Sequence, residues 1–166
     1  MEVVYEDNHL IVVNKAVGEL VQGDRTGDVA LVETVRAYLK EKYAKPGNVF
    51  CGVVHRLDRP VSGLVVFAKT SKALERMNAL FRDGKVRKTY WALTRNRPPK
   101  PEGRIEGYIT TSQQGNKSYH SATPREGAKH AALSYRTLAQ GERYTLLEIN
   151  LETGRKHQIL SLIHIS

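Results

Sequence analysis

The stretch His55–Thr70, HRLDRPVSGLVVFAKT, constrains this chain more than any other. Leu64–Ala68 is a continuous apolar run, the pattern of a buried central strand. Just before it, Asp58 stands between Arg56 and Arg59, and Pro60 and a Ser62-Gly63 turn follow. A charged loop therefore docks directly on a buried strand. A lone acid among bases, aimed by a rigid turn, is either a structural ion-pair knot or a nucleophile. The stretch alone leaves both readings open.

The remaining elements point to an α+β fold. Val3–Asn14 has two β-branched runs around an Asp7-Asn8 turn signal and predicts a hairpin or two strands. Val29–Tyr43 places apolar residues at 31, 32, 35 and 39, a helical spacing that Lys45-Pro46-Gly47-Asn48 ends. Ser71 is the expected N-cap of a second helix, with Leu74, Met77, Leu80 and Phe81 as a core-packing stripe and Gly84 as its stop. Val86–Thr94 reads as a strand and Arg95–Gly103 as a proline-rich connector. Gly107–Lys129 is polar and turn-rich, with weak strands at best. His130–Ala139 and Arg143–Glu152 alternate like an antiparallel pair joined at Gln140-Gly141-Glu142. Mostly hairpin-linked strands among helices predict a mixed, mainly antiparallel sheet with flanking helices.

Charge narrows the partners. Lys plus Arg is 26 and Asp plus Glu is 17, a net of +9. Residues 1–50 hold 6 basic and 8 acidic side chains, residues 51–100 hold 12 and 3, and residues 101–166 hold 8 and 6. The excess sits in the third that carries Asp58, which suggests a polyanion partner, nucleic acid first, with a solvated basic face as the equally weighted alternative. An anionic membrane surface fits poorly, because no bulky apolar face is left over once a core is assigned. No apolar run approaches the roughly 20 residues of a membrane span. The acidic start MEVVYEDNHL is not a signal peptide, and the single Cys51 excludes an internal disulfide. A cytoplasmic location is expected.

Few familiar chemistries survive. Histidines 9, 55, 120, 130, 157 and 164 lack short metal-ligand spacing, and one cysteine cannot build a zinc knot, so no metal is expected. There is no Walker-type loop, dinucleotide fingerprint or G-x-S-x-G elbow. Cys51 is read as a small buried residue. What remains is Asp58: a carboxylate can attack a sugar-like carbon without metal or cofactor, provided it stays ionised. In Lys88-Thr89-Tyr90-Trp91, strand alternation puts Lys88 and Tyr90 on one side. Tyr90 is then a half-buried strand residue, or a ring that stacks on a base or moves a proton. LETGRKHQI, Leu151–Ile159, turns at Gly154 before Arg155-Lys156-His157 and reads as a strand-to-helix junction or a capped surface turn.

Taken together, these segments resemble the RluA-type family of pseudouridine synthases. Its H-R-L-D-R-x-[TS]-S-G-L-x-x-F-A-K-T motif is matched by residues 55–70, with Pro60-Val61 in the variable stretch. YEDNHLIVVNKAVG resembles the opening strand motif, with Ala16 where a proline is usual. KTYWAL resembles K-x-Y-x-A, TGRKHQI resembles T-G-R-x-H-Q-[IL]-R, and AKHAALSYRTL resembles a family hairpin.

The resemblance implies cofactor-free isomerisation of uridine to pseudouridine in structured RNA, rRNA or tRNA. It implies that Asp58 is the nucleophile or base and that Tyr90 packs on the target base and helps remove the C5 proton. Arg56 would fill the space of the flipped nucleotide, and Lys88, Arg155 and His157 would contact RNA. Lys72, Arg76, Lys85 and Arg87 would position the backbone. Leu160 stands where the family motif has an arginine, the expected partner of the aspartate. The tail LSLIHIS looks like translated adapter sequence. The expected organisation is therefore a catalytic domain over 1–160, incomplete at its C-terminus, and a non-native tail over 161–166. A buried or half-buried Asp58 without its arginine would lose a charge partner, leaving a catalytically impaired RNA-binding fragment as the alternative reading.

Overall fold

Asp7 starts the first sheet by closing a tight turn. Its Oδ1 accepts from the amides of His9 (2.8 Å) and Leu10 (2.6 Å), which folds β1 (Glu2–Glu6) back on β2 (Leu10–Lys15). The hairpin expected from Val3–Asn14 is present. The computed structural model describes residues 1–24, 26–95, 97–112 and 118–163. The chain divides into two compact units, Met1–Asp83 and Gly84–Ser166, each described by itself.

In the first unit the strand order is β1-β2-β4-β3, all antiparallel, with β3 at Gly52–Val53 and β4 at Gly63–Ala68. The apolar run is thus a central strand, as expected. Only part of it is buried: Val65 and Phe67 are fully enclosed on one face of the pleat, whereas on the other Ala68 is enclosed and Leu64 is 55% exposed. Helix α1 (Leu31–Lys42) buries Leu31, Val32, Val35 and Leu39, the predicted stripe, in a core with Ile11, Val13, Val65 and Phe67. It stops at Tyr43, before the Lys45-Pro46 signal, and Ala44 takes a left-handed φ of 46°. Cys51 is buried in the same core, and burial pushes its thiol up to about 11.

Helix α2 (Ser71–Arg82) corrects two expectations. Its N-cap is Thr70, whose hydroxyl accepts from the Ala73 amide, and Ser71 is the first helical residue. Of the expected core stripe, Leu74, Met77 and Phe81 are half-buried and Leu80 is 39% exposed. Ala73 is the buried position instead, because α2 lies against the short β3 and the end of β4. A Cβ on Gly52 would lie 2.8 Å from Leu74 Cδ2, so glycine permits this approach. Gly84, at φ 67°, follows the helix as anticipated.

In the second unit all pairings are again antiparallel, in the order β5-β9-β8-β6-β7. The strands are β5 (Thr89–Thr94), β6 (Glu102–Thr111), β7 (Ser118–Ser121), β8 (Lys129–Gln140) and β9 (Thr145–Leu151). Helix α3 (Gln158–Ile163) closes the core of Ile109, Ala131, Leu133, Tyr135, Leu147 and Ile149 with the fully buried Leu162. Residues 161–163 of the expected tail are thus helical, and 164–166, with His164, lie outside the described residues. The β8–β9 pair is as expected.

The stretch expected to hold weak strands at best instead contributes β6, which runs from Glu102 and pairs with both β7 and β8. Two glycines hide it. Gly103 and Gly107 occupy inward positions of the alternation that Ile105 and Ile109 continue. A Cβ at Gly103 would meet the Tyr135 ring at 3.0 Å, and one at Gly107 would collide with the His120 imidazole. Residues 113–117 of that stretch lie outside the described residues. The expected strand Val86–Thr94 is shorter, starting at Thr89. Strand β5 is an edge, and its outer face exposes Trp91 (71%) and Leu93 (72%). Two antiparallel sheets with three helices make the fold α+β, and no described helix is long and apolar enough to cross a membrane.

One polar knot fastens the first unit. The Glu6 carboxylate, its side chain 8% exposed, receives Lys69 (2.7 Å), Lys42 (2.8 Å), Tyr43 (2.6 Å) and Tyr38 (3.1 Å). Burial alone would push this carboxyl up, but the donors override it and bring it from 4.5 to about 2. A carboxyl depressed on folding stabilises the fold above its ordinary value, and that stabilisation is lost as pH falls toward the depressed one. The first unit therefore loses stability between about pH 4.5 and about pH 2. Glu6→Gln should flatten that acid limb and, by removing the counter-charge of the 7%-exposed Lys69, cost on the order of 3 kcal/mol near neutrality. Urea unfolding at stepped pH reads both, and an acid limb of unchanged steepness in the variant would refute the assignment.

Candidate active site

Lys15 is the third inward residue of β2 after Ile11 and Val13, and it has no solvent-exposed surface. A buried ammonium must spend its donors, and this one has three takers. Nζ donates to the carbonyls of Val61 (2.6 Å), Ala16 (3.0 Å) and Arg59 (3.2 Å). Two of the three belong to the loop that follows Asp58. Burial pulls the Lys15 ammonium down, while the charges of Glu19 and Asp58 act to raise it. The same loop is tightened by Val61 N to Asp58 O (2.9 Å) and Gly18 N to Arg59 O (2.9 Å).

The loop alternates between anchoring and presentation. His55 and Leu57 are half-buried, whereas Arg56 and Asp58 are exposed. His55 accepts the Val66 amide at Nε2 (3.1 Å) and stacks on Phe81, with ring centroids 5.1 Å apart. Leu57 packs on the first core. The structure thus brings Arg56 and Asp58 out on one short loop. It departs from the sequence picture at two points. Arg59 pairs with Asp28 (2.8 Å), so the loop is not a simple knot of one acid between two arginines. Asp58 itself is exposed rather than buried or half-buried, so the cost of breaking a buried ion pair does not apply to it.

In the second unit, β5 alternates as expected. Tyr90 and Ala92 pack against the core, and Trp91 and Leu93 face outward. Lys88, just before the strand, is half-buried, and burial pulls its ammonium down. Its carbonyl accepts from Leu151 N (3.1 Å), and its Nζ would lie 3.2 Å from a Cβ on Gly154. Lys88 therefore sits beside the turn that carries Arg155 and His157.

That turn is the strand-to-helix junction, and Gln158, 3% exposed, organises it. Its Oε1 accepts from Thr153 Oγ1 (2.7 Å) and Arg155 N (2.9 Å), and its Nε2 donates to Ala132 O (2.9 Å). Arg155 is exposed, with Nε on the His130 carbonyl (2.9 Å). His157 takes a left-handed φ of 54°, with Nδ1 3.4 Å from Ser118 Oγ. Leu160, at the position where an arginine was expected, is 64% exposed on α3.

Sequence reasoning missed Lys15 and Gln158 as organisers. The signal for Lys15 was its place two residues beyond Val13 on a strand whose alternate residues face the core. Gln158 was visible only as one letter of the TGRKHQI match. Among the described residues, no three of His, Cys, Asp and Glu gather as a metal-binding group.

A family model described as RNA pseudouridylate synthase matches residues 9–164. The chain is 33% identical, over 100% of its length and 52% of the relative's, to ribosomal large subunit pseudouridine synthase D of Zymomonas mobilis subsp. mobilis. It is 33% identical, over 99% of its length and 46% of the relative's, to tRNA pseudouridine synthase C of Pectobacterium carotovorum subsp. carotovorum. The chain spans about half the length of these curated relatives. Human RNA Pseudouridylate Synthase Domain Containing 4 superposes with a TM-score of 0.80 at 25% identity, over 95% of this chain and 61% of that one. The match takes in the Asp58 loop, the Tyr90 strand and the Gln158 turn alike, and the chain belongs to the RNA pseudouridylate synthase family, of RluA type.

Proposed function

We propose that this chain carries the uridine-isomerising centre of an RNA pseudouridine synthase that acts on tRNA or rRNA in the cytoplasm. The observation that carries the reading is the Asp58 loop, in which the buried Lys15 and the half-buried His55 and Leu57 fix the backbone and leave Arg56 and Asp58 at the surface. A carboxylate held this way meets a substrate brought to it and needs no cofactor.

In this reading the C1′–N1 bond breaks, the uracil turns, a C1′–C5 bond forms, the C5 proton leaves and N1 takes up a proton, so that the product is an isomer of the substrate. Asp58 starts the reaction as nucleophile or base. Tyr90 packs on the base and assists the C5 proton transfer. A base stacked in a duplex is out of Asp58's reach, so the target nucleotide is flipped and Arg56 fills its place. Loop or single-stranded RNA gives up its bases at least cost. Lys88, Arg155 and His157 hold the RNA.

A second reading is favoured by Leu160, an exposed leucine at the position of the family's arginine. In it the chain binds RNA and turns over poorly because position 160 supplies no guanidinium.

Asp58→Ala should abolish pseudouridine formation in a uridine-containing RNA pool, and Tyr90→Phe should slow it by roughly 10²-fold. Unchanged activity in Asp58→Ala would sink the assignment. Leu160→Arg should raise turnover under the second reading, and equal rates would reject it. Lys15→Met leaves three main-chain carbonyls, two of them in the Asp58 loop, without their donor. It should cost about 3 kcal/mol in thermal or urea unfolding and lower turnover even where the protein remains folded.

A further inference from the structure

The second unit contains a concave site of its own, with a cavity volume of about 620 Å³. It lies where the end of β6, the start of β8 and the β9–α3 turn meet. Lys129, Arg155 and Lys156 bring three cationic side chains to its wall, Thr111 and Ser112 add hydroxyls, and Ile109 forms an apolar floor. None of the described lining residues is acidic. Glu106 and Glu152 are both committed to Arg104, at 2.7 and 2.9 Å, and the Arg155 guanidinium is fixed through Nε on the His130 carbonyl.

Three cations and two hydroxyls, with no carboxylate among the described lining residues, suit a tetrahedral oxyanion on a chain. They give a planar base little to read, since phosphate contacts position a nucleic acid without specifying its sequence. We propose that this cleft seats a phosphodiester of the substrate RNA backbone, with Lys129 and Lys156 sharing its charge with Arg155. The proposal rests on the RNA-modifying reading above and adds Lys129 and Lys156 as positioning residues for the strand.

The test uses the full chain and a single-stranded, uridine-containing oligoribonucleotide. Affinity is measured against salt, and pseudouridine formation is measured in parallel. The Lys129→Gln/Lys156→Gln double variant should bind about tenfold more weakly at low salt, with a log–log slope shallower by roughly 0.7 per lysine. It should raise KM and leave kcat largely intact. The Lys129→Arg/Lys156→Arg variant should restore both slope and KM. Both lysines are exposed, and each single Gln variant should show its own share of the change, so the singles decide the matter if the double variant misfolds.

A Gln pair with wild-type slope and affinity overturns the cleft, as does an Arg pair as defective as the Gln pair. A wild-type chain whose RNA binding ignores salt overturns it too. Salt-sensitive binding that responds to the lysines, with no pseudouridine made, supports the cleft and counts against the isomerisation reading. Pseudouridine formation with an unaltered slope in the Gln pair overturns the cleft alone.

Discussion

The Asp58 loop depends on a cation that water does not touch. A buried ammonium is costly unless each of its protons finds an acceptor. Lys15 finds them in the carbonyls of Ala16, Arg59 and Val61, so a strand residue and a loop distant in sequence are fixed to one point. The hydrogen bonds go to backbone, which has no alternative rotamers, so the loop's path is specified more tightly than side-chain pairs at the surface could achieve. The arrangement also places positive charge behind the loop, where it acts on Asp58 without covering it.

The same division of labour recurs in the second unit. At the β9–α3 junction Gln158 is buried and fully engaged, while Arg155 beside it reaches the surface. On β5 the inward Tyr90 alternates with the outward Trp91. In each case adjacent residues of one motif do opposite jobs, one gripping the fold and the next facing outward. A motif such as H-R-L-D is therefore a joint record of scaffold and chemistry, and its letters cannot all be read as contacts with substrate.

That mixture explains what the sequence made legible. Periodic apolar positions found α1, the β1–β2 hairpin, the central β4 and the β8–β9 pair, because burial there follows from local spacing. β6 escaped because Gly103 and Gly107 stand at its inward positions, and a missing side chain leaves no hydrophobic signal. Thr70 outcompeted Ser71 as the cap by one residue, a choice that depends on backbone geometry more than composition. Asp58 was found from its motif, but its exposure was not, since a carboxylate between arginines looks the same whether Arg59 turns toward it or toward Asp28. Lys15 was unreadable as a support because its acceptors are main-chain oxygens, which every residue has.

The edge position of β5 has a colloidal consequence. Thr89–Thr94, TYWALT, contains no charged residue and no proline, the usual means by which an edge strand discourages further pairing. It is an edge of its sheet, and Trp91 and Leu93 are exposed along it. Edges of this composition are the kind that template pairing with another extended segment. What opposes self-association of the chain is long-range repulsion from its net charge of +9, and salt screens that repulsion. Raising the ionic strength thus lowers the barrier between copies that meet along this edge.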